Sequence, residues 1–369
     1  MLDDLKVKAG PQFYKYSKGA IAEFVPQILD EFRAQKILVV HGTVSWEKAQ
    51  PFVTFLADPK YQFTYHRYTG ECSYYGADLI TDLVEKEAID FIIGVGGGKL
   101  ADLVEYAAHL NNLPCGVIPT LSSNCAPWTP LSVMYKESGE SEGVTEHYLR
   151  QAAFLITDPY LVVDAPVNYF VAGLADTIAK WYESDLIVSQ KELQDYPFLK
   201  LATYTSVISK EAILQDSQQA IQDMENGVVS DAFVNLSEIV FAVAGLVGGL
   251  GDKYARNAAA HAMHDAIGKY LPGSHAYLHG EKVAYGILYQ LALEGRWQLI
   301  DEILPFYQAL GLPRSLADMK LTPLSSEDTE KIVAFINSKE KVHLIPIEIN
   351  PTTLEHAIFA LENYLETKL

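Results

Sequence analysis

Cysteine is scarce in this sequence: the chain has only three, Cys72, Cys115 and Cys125, and they stand in no paired spacing. This scarcity argues against a disulfide framework and fits a reducing compartment. Segments that direct a chain to a membrane are also missing. Residues 1–4 (MLDD) lack the basic and then apolar order of a signal peptide, and we expect no later stretch to stay apolar long enough to span a bilayer. The sequence therefore predicts a cytoplasmic protein with no membrane partner.

Positive charge is scarce as well. The chain has 28 lysines and arginines against 47 aspartates and glutamates, which gives a formal net charge of -19 spread along the sequence. This excess argues against nucleic acid and anionic membranes as partners. An anionic ligand would have to be bound by local cations, helix N-termini and backbone amides.

No internal repeat and no long polar tract is present, which argues against solenoids, propellers and disordered chains. A length of 369 residues, with 49% hydrophobic and 20% charged residues, predicts two domains packed around a cleft. In the first half, short β-branched runs alternate with amphipathic segments, which indicates a doubly wound parallel sheet. The predicted buried strands are residues 36–40, 63–66, 91–95 and 115–118.

The second half of the chain is predicted to be helical. A last apolar run, residues 160–166, ends at Pro166, and beyond it apolar residues recur at helical spacing. The helical segments are residues 171–185, 198–215, 231–248, 253–270 and 281–294. The fold class is therefore α/β, with a dinucleotide-binding domain at residues 1–165 and an all-helical domain at residues 166–369.

A glycine-rich turn follows the third predicted strand. Gly96, Gly97 and Gly98 precede Lys99, and Asp102 lies on the expected next helix. Glycines at a strand-to-helix turn let backbone amides approach a pyrophosphate, and the helix N-terminus favours negative charge. The turn has neither the Rossmann nor the P-loop glycine spacing, and a plain tight turn is the alternative. The expected ligand is a dinucleotide.

The loops after two other strands carry further candidate cofactor contacts. Residues 119–127 (PTLSSNCAP) place Thr120, Ser123 and Cys125 after the fourth predicted strand, where hydroxyl groups can hold a carboxamide or simply form turns. After the first strand, His41-Gly42-Thr43 has no acidic residue to accept from the adenosine ribose, and Gly42 leaves room for a 2′-phosphate. This favours NADP(H) over NAD(H), with dual use left open.

Four of the ten histidines lie within residues 257–285. His261 and His264 share one helical face, and His279 stands at the expected start of another helix, where it can meet His261. Asp176 is the candidate carboxylate ligand that would complete a metal site. Structural histidines without a metal are the alternative, because spacing alone does not show that these residues converge.

Four segments, GVGGGKLAD, AGLADTIAKWYE, AAAHAMHDAI and LHGEKVAYG, resemble motifs of the iron-containing alcohol dehydrogenase superfamily, in its glycerol dehydrogenase-like branch. The resemblance covers essentially the whole chain and implies an architecture shared with dehydroquinate synthase. It implies phosphate binding at the glycine turn and a divalent metal, zinc favoured over iron, on Asp176, His261 and His279. The implied reaction is hydride transfer between NAD(P)(H) and a small carbonyl or alcohol substrate.

Two positions depart from the relatives. Lys180 stands where iron-dependent members have a histidine ligand, and Cys125 stands where glycerol dehydrogenases place an aspartate that binds polyol hydroxyls. The loss of the aspartate at Cys125 and the apolar bulk of Trp128 favour a 2-oxo or 2-hydroxy acid over glycerol. Residues 125–133 (CAPWTPLSV), AGLADTIAKWYE and GLVGGLGDKYARNAAAHA resemble the hydroxycarboxylate dehydrogenase subgroup. The candidate catalytic or substrate-binding residues are Lys180, Arg256 and His264, with Lys253 as a further carboxylate partner.

Three alternatives remain open, and a homo-oligomer is expected in each case. The first is a glycerol or other polyol dehydrogenase. The second is a dehydroquinate synthase-like lyase, although the basic residues near the motifs are few for a phosphate-bearing substrate. The third is a nucleotide-binding sensor without enzymatic activity, which the departures from the family pattern at Lys180 and Cys125 support.

Overall fold

The computed structural model describes residues 2–368. The strands are β1 (Phe13–Tyr16), β2 (Lys36–His41), β3 (Gln62–Arg67), β4 (Phe91–Gly96), β5 (Cys115–Pro119), β6 (Leu131–Tyr135), β7 (Ser141–His147) and β8 (Phe154–Thr157). The main sheet has six parallel strands in the order β1-β8-β5-β4-β2-β3, and the other two strands form an antiparallel hairpin, β6-β7.

The helices are α1 (Ala20–Glu31), α2 (Val44–Ala49), α3 (Tyr74–Glu87), α4 (Gly98–Leu110), α5 (Pro159–Val162), α6 (Val167–Val188), α7 (Pro197–Glu225), α8 (Asp231–Glu238), α9 (Ala244–Gly251), α10 (Ala259–Tyr270), α11 (His279–Leu293), α12 (Trp297–Leu310), α13 (Ser326–Asn337) and α14 (Pro351–Glu366). No strand follows β8 among the described residues. The α/β fold class with a helical second half is confirmed.

The central strands are apolar throughout because helices cover both faces of the sheet. In β2, Ile37 and Val39 pack into one core together with α1, whereas Leu38 and Val40 pack into a second core on the opposite face together with α3 and α4. Successive side chains of a strand point to opposite faces, so this one segment contributes to both cores. This arrangement is why the predicted strands β2, β4 and β5 are found within a residue of their predicted bounds. The strand predicted at residues 63–66 is also found, as β3, but the prediction that it is buried was wrong, because β3 lies at the edge of the sheet and is half-exposed.

Other elements differ from the sequence prediction. The apolar run at residues 160–166 does not extend the sheet: its start forms the short helix α5, where Pro159 takes the first turn and the Asp158 side chain accepts a hydrogen bond from the amide of Tyr160. The predicted helix 253–270 is divided into a 3-10 turn, Asp252–Tyr254, and α10.

The chain forms two compact units that are not continuous in sequence. The sheet unit comprises Lys8–Phe170 and Gln219–Gly245, and the helical unit comprises Met1–Val7, Val171–Gln218 and Leu246–Leu369. The helical excursion 219–245 belongs to the sheet unit because its apolar side chains pack there, for example Phe241 against Tyr16 with ring centroids 5.7 Å apart. The units therefore differ from the predicted division into residues 1–165 and 166–369.

One helical stretch, Asp231–Tyr254, is long and apolar enough to cross a membrane by length and composition. The expectation that no such stretch exists was wrong, because α8, a π-helical turn and α9 run on as one apolar segment rich in glycine and valine. Since 67% of its most apolar window is buried inside the protein, the segment is a core helix. The cytoplasmic location stays a prediction.

Candidate functional site

Three predicted ligands converge in the helical unit. Asp176 lies on α6, His261 on α10 and His279 at the start of α11, and one ligand atom from each lies within 4.8 Å of the other two. The Asp176 Oδ1 atom is 3.1 Å from Nε2 of His261 and 3.3 Å from Nε2 of His279. One carboxylate oxygen and two imidazole nitrogens form a donor set that suits zinc and leaves a coordination position for substrate. The residues present therefore fit a divalent metal.

Two glycines of α11 explain how three helices bring these ligands together. A Cβ atom at Gly280 would lie 1.8 Å from the backbone oxygen of Ala172 on α6, and one at Gly286 would lie 2.2 Å from the backbone oxygen of Ala260 on α10. Only glycine permits backbones to approach so closely. Gly280 therefore sets the distance between Asp176 and His279.

A fourth side chain, Glu183, contacts the cluster and was missed by the sequence analysis. Its Oε2 atom is 2.6 Å from Nδ1 of His261, and its side chain is fully buried. A signal was present, because Asp176, Lys180 and Glu183 share one face of α6 at intervals of four and three residues.

The surrounding charges keep both carboxylates ionised. Burial opposes ionisation of Asp176, but the Lys180 ammonium and hydrogen bonds from the two histidines outweigh it and hold the pKa of this carboxyl well below its usual range. Burial also opposes ionisation of Glu183, and the adjacent His261 outweighs it, so the pKa of Glu183 is lowered too. The site thus presents negatively charged oxygens to a cation.

His264 lies beside the cluster without joining it. Its ring centroid is 4.1 Å from that of His279, and its Nδ1 atom is 3.1 Å from Oδ1 of Asp265. Burial, and next the nearby His279, lower the pKa of His264 to about 3, so its imidazole is neutral. A neutral ring at this place can exchange a proton or orient His279, and its catalytic role stays a prediction.

The predicted cationic residues have different surroundings. Lys180 is buried, and its Nζ atom donates to the backbone oxygen of Arg256 at 3.3 Å. Arg256 donates to the backbone oxygen of Gly248 at 2.9 Å, and Lys253 pairs with Asp4 at 2.8 Å. The charge of Lys180 acts on the candidate ligand Asp176 and lowers the pKa of its carboxyl.

The glycine-rich turn lies in the sheet unit where the strand order reverses. From β2 the chain proceeds outward to β3, and from β4 it proceeds to β5 on the other side, so β2 and β4 flank the switch point. Open α/β sheets bind ligands at the carboxyl ends of the strands beside such a point. Gly96 ends β4, Gly97 precedes α4 and Gly98 begins it. A Cβ atom at Gly98 would lie 2.5 Å from Oδ1 of Asn124 in the loop after β5.

Other residues that were predicted to contact the cofactor form hydrogen bonds within the protein. The Lys99 Nζ atom is 2.6 Å from Oε1 of Glu71. Asp102 is buried and accepts a hydrogen bond from the amide of Val133 at 3.1 Å, and burial raises its pKa to about 7. Thr120 is buried and its amide donates to the oxygen of Gly96. Of these three, Thr120 is joined directly to the glycine-rich turn.

The end of β2 also carries features suited to a nucleotide. Gly42 follows His41, and a Cβ atom there would lie 2.6 Å from the Ser45 hydroxyl oxygen. The register of the sheet places exposed Arg67, at the end of β3, opposite His41. Arg67 was missed by the sequence analysis, although a cation at the end of a neighbouring strand is the kind of residue that binds a 2′-phosphate.

The loop after β5 carries the remaining predicted contacts. Ser123 and Cys125 are half-buried, and Cys125 precedes a 3-10 turn, Ala126–Trp128. Cβ atoms at Gly10 and Gly245 would each lie 2.3 Å from the Trp128 indole, so this ring fills the space that two glycines leave within the sheet unit. The predicted contribution of Trp128 to a substrate pocket therefore has no support from its packing.

A doubly wound sheet with a glycine-lined strand end and a helical unit with a buried Asp-His-His cluster define a class: proteins that combine a dinucleotide-type fold with a set of metal ligands. The model of the family described as iron-containing alcohol dehydrogenase matches residues 11–159. Hydroxycarboxylate dehydrogenase A of Escherichia coli (strain K12) is 35% identical over 277 residues, which cover 74% of this chain and 75% of that protein.

Glycerol dehydrogenase of Thermotoga maritima is 34% identical over 301 residues and covers 79% of each chain. The crystal structure of a probable glycerol dehydrogenase from Sinorhizobium meliloti has the same fold, with a TM-score of 0.85, 24% identity and coverage of 98% of this chain and 99% of that one. The chain belongs to the iron-containing alcohol dehydrogenase family. It is a dehydrogenase that acts on the CH-OH group of a small alcohol, polyol or hydroxy acid.

Proposed function

We propose that this enzyme transfers hydride between NADP(H) and a small 2-oxo or 2-hydroxy acid, with a divalent metal, zinc rather than iron, held by Asp176, His261 and His279. The observation that carries the proposal is the convergence of these three ligand atoms next to the buried Lys180. A metal there supplies Lewis acidity toward a substrate oxygen. A carboxylate substrate would then meet a cationic side chain close to the same place.

The chain's own residues divide the remaining work. Glu183 holds His261, and the neutral His264 packs against the ring of His279, where we assign it to orient that ligand. Lys180 carries the charge that we assign to binding the substrate carboxylate. Its ammonium also keeps Asp176 ionised, so substrate recognition and ligand charge depend on one side chain.

For the cofactor, we propose that Gly96, Gly97 and Gly98 face the pyrophosphate and that Gly42 lies against the adenosine ribose. The switch point between β2 and β4 supports this placement. Arg67 supports the choice of NADP(H), because a guanidinium forms charge-assisted hydrogen bonds to a phosphate. Ser123 and Cys125 are proposed to contact the nicotinamide and the substrate, and Lys99 and Asp102 to steady the turn from their pairs with Glu71 and Val133.

The test compares initial rates of NADPH oxidation with 2-oxobutanoate, 2-oxoglutarate and dihydroxyacetone, each with and without a chelator. Faster turnover of the 2-oxo acids, lost on chelation and restored by zinc, is the expected result. Preference for dihydroxyacetone would favour the alternative of a polyol dehydrogenase, which the similarity to glycerol dehydrogenases also supports. Activity that survives removal of the metal would overturn its role and leave Lys180 to polarise the substrate.

We also propose that the enzyme is a homo-oligomer. An apolar stripe on α7, formed by Phe198, Leu201, Tyr204 and Ile208, lies on one face of the helix, and Tyr204 is 63% exposed. Four half-exposed large side chains offer roughly 400 Å² per copy, about half of what a standard interface buries on each partner. A second copy of this chain is the occupant that we assign, because a helix stripe can pair with itself about a two-fold axis. Sedimentation analysis tests the assembly.

A further inference from the structure

The Glu183 carboxylate accepts three hydrogen bonds in the interior of the helical unit. Its Oε1 atom accepts from the amides of Ala258 at 2.6 Å and His261 at 2.9 Å, and its Oε2 atom lies 2.6 Å from the His261 ring. Gln290 accepts from the amides of Ala259 and Ala260. The amide of Ala258, which precedes α10, and the first three amides of α10 are thereby satisfied by side chains of α6 and α11 rather than by a local cap. An ionised carboxylate suits this place, because a helix N-terminus favours negative charge.

This arrangement also determines which nitrogen of His261 carries a proton. An ionised carboxylate only accepts hydrogen bonds, so the Nδ1 atom of His261 must donate. Its Nε2 atom faces Asp176 Oδ1, 3.1 Å away, so a metal bound there would displace the proton from Nε2 and leave a neutral ring that still donates from Nδ1 to Glu183. A histidine ligand needs this tautomer, and a carboxylate behind the ring is the usual means of securing it.

We infer that Glu183 is a positioning residue that keeps Nε2 of His261 available for a metal by holding the proton on Nδ1. The inference deepens the proposed function and rests on it for the metal. Glu183 is not one of the three candidate ligands and acts through its contact with His261. Its effect is on the direction of one hydrogen bond rather than on the charge of the ligand set.

The substitution Glu183→Gln separates this role from simple burial. An amide has one acceptor oxygen, whereas Glu183 faces three donors. If the glutamine oxygen keeps the two backbone amides, its NH₂ group faces Nδ1, which must then give up its proton. In the alternative orientation, the glutamine oxygen accepts from Nδ1 and its NH₂ group faces the backbone N-H groups of Ala258 and His261, which then have no acceptor. The first arrangement loses fewer hydrogen bonds, so E183Q is expected to remove the proton from Nδ1 and to fix the remaining proton of His261 on Nε2, which blocks the ligand atom.

The experiment has two readouts on the full chain. Zinc affinity is measured by competition with a chromophoric chelator at fixed pH, and the protonation of His261 is read from long-range ¹H-¹⁵N spectra of metal-free protein with labelled histidine. For E183Q we expect a 10- to 100-fold loss of zinc affinity and no proton on Nδ1 of His261, where the wild type carries one. Glu362→Gln is the matched control, because Glu362 accepts from the Tyr285 hydroxyl and the Leu316 amide away from the cluster. It should keep wild-type affinity within twofold.

The variant Glu183→Asp keeps the charge and both acceptor oxygens, but its shorter side chain places these oxygens farther from His261 by the length of one methylene group. It should retain the proton on Nδ1 with a smaller loss of affinity, and it serves if E183Q fails to fold. A proton that stays on Nδ1 in E183Q, together with unchanged zinc affinity, would overturn the inference. A wild-type protein that binds no zinc would instead overturn the metal in the proposed function, and the proton position in the metal-free proteins would still decide the role of Glu183.

Discussion

The substitution Gly280→Ala should increase the distance between two of the candidate metal ligands, although no ligand residue is itself substituted. The added Cβ would lie 1.8 Å from the backbone oxygen of Ala172, and such contacts are essentially never shorter than 3.0 Å, so α6 and α11 must part by about 1.2 Å. A backbone oxygen cannot rotate away as a flexible side chain would. Because His279 is the residue before Gly280, the shift falls directly on the gap between His279 and Asp176.

The expected losses of zinc affinity and of stability follow from the tolerance of metal-ligand distances and from the cost of overpacking. Ligand distances in a metal site hold to about 0.2 Å, so a separation several times larger removes His279 from the set. Overpacking of this kind costs about 1–3 kcal/mol of unfolding free energy, which lowers the melting temperature by roughly 2–4 °C per kcal/mol. We therefore expect G280A to fold, to melt several degrees lower, and to bind zinc about 100-fold more weakly with a matching loss of kcat/KM.

The assay combines thermal denaturation, zinc competition and steady-state rates. Gly268→Ala is the control, because it lies on α10 with His261 and the nearest atom to its added Cβ is the Lys282 Nζ at 3.7 Å, an ordinary contact. Alanine within a helix is more favourable than glycine by up to about 1 kcal/mol, so G268A should melt no lower than the wild type. Wild-type zinc affinity in G280A would refute the view that this contact sets the ligand spacing.

Three other substitutions test separate parts of the proposal. Cys125→Asp should shift the ratio of kcat/KM toward dihydroxyacetone by about tenfold or more, because a carboxylate binds polyol hydroxyls and repels 2-oxo acids; an unchanged ratio would remove Cys125 from substrate selection. Arg67→Ala should raise the KM for NADPH about tenfold and leave that for NADH unchanged, and equal effects on both would contradict the assignment of its guanidinium to the 2′-phosphate. Tyr204→Glu should lower the sedimenting mass without lowering the melting temperature of the protomer, whereas an unaltered mass would exclude the α7 stripe as the interface.

The sequence was informative where a segment is buried on two sides or carries a distinctive side chain. The buried strands β2, β4 and β5 were predicted from their apolar runs, and the helices that bear Asp176, His261 and His279 were predicted from apolar spacing and motifs. The edge strand β3 was predicted as well, but as a buried one. The hairpin strand β7 was not predicted, because SEGVTEH is polar and exposed and has no apolar period. Strand β8 has only four residues, too few for a pattern to stand out before Pro159.

The site illustrates a different limit of sequence reasoning. Motifs pointed to the three ligands, but Glu183 and the glycines of α11 act through contacts between helices far apart in the chain. Glu183 is seven residues from Asp176 on the same helix, but its side chain bonds to His261, which is 78 residues away in the sequence. No sequence pattern relates positions so far apart. Gly280 reads as an ordinary residue near a helix start until the backbone of α6 is found against it.

The division of the chain has a consequence for how this protein can be made and cut. The polypeptide enters the helical unit first, leaves it after Val7, returns at Val171, leaves again after Gln218 and returns at Leu246. A ribosome that has released only residues 1–165 has therefore supplied a sheet without the segment that holds Phe241 against Tyr16. Neither unit can be excised as a single continuous fragment, and synthesis must pass Gly245 before the sheet unit is whole.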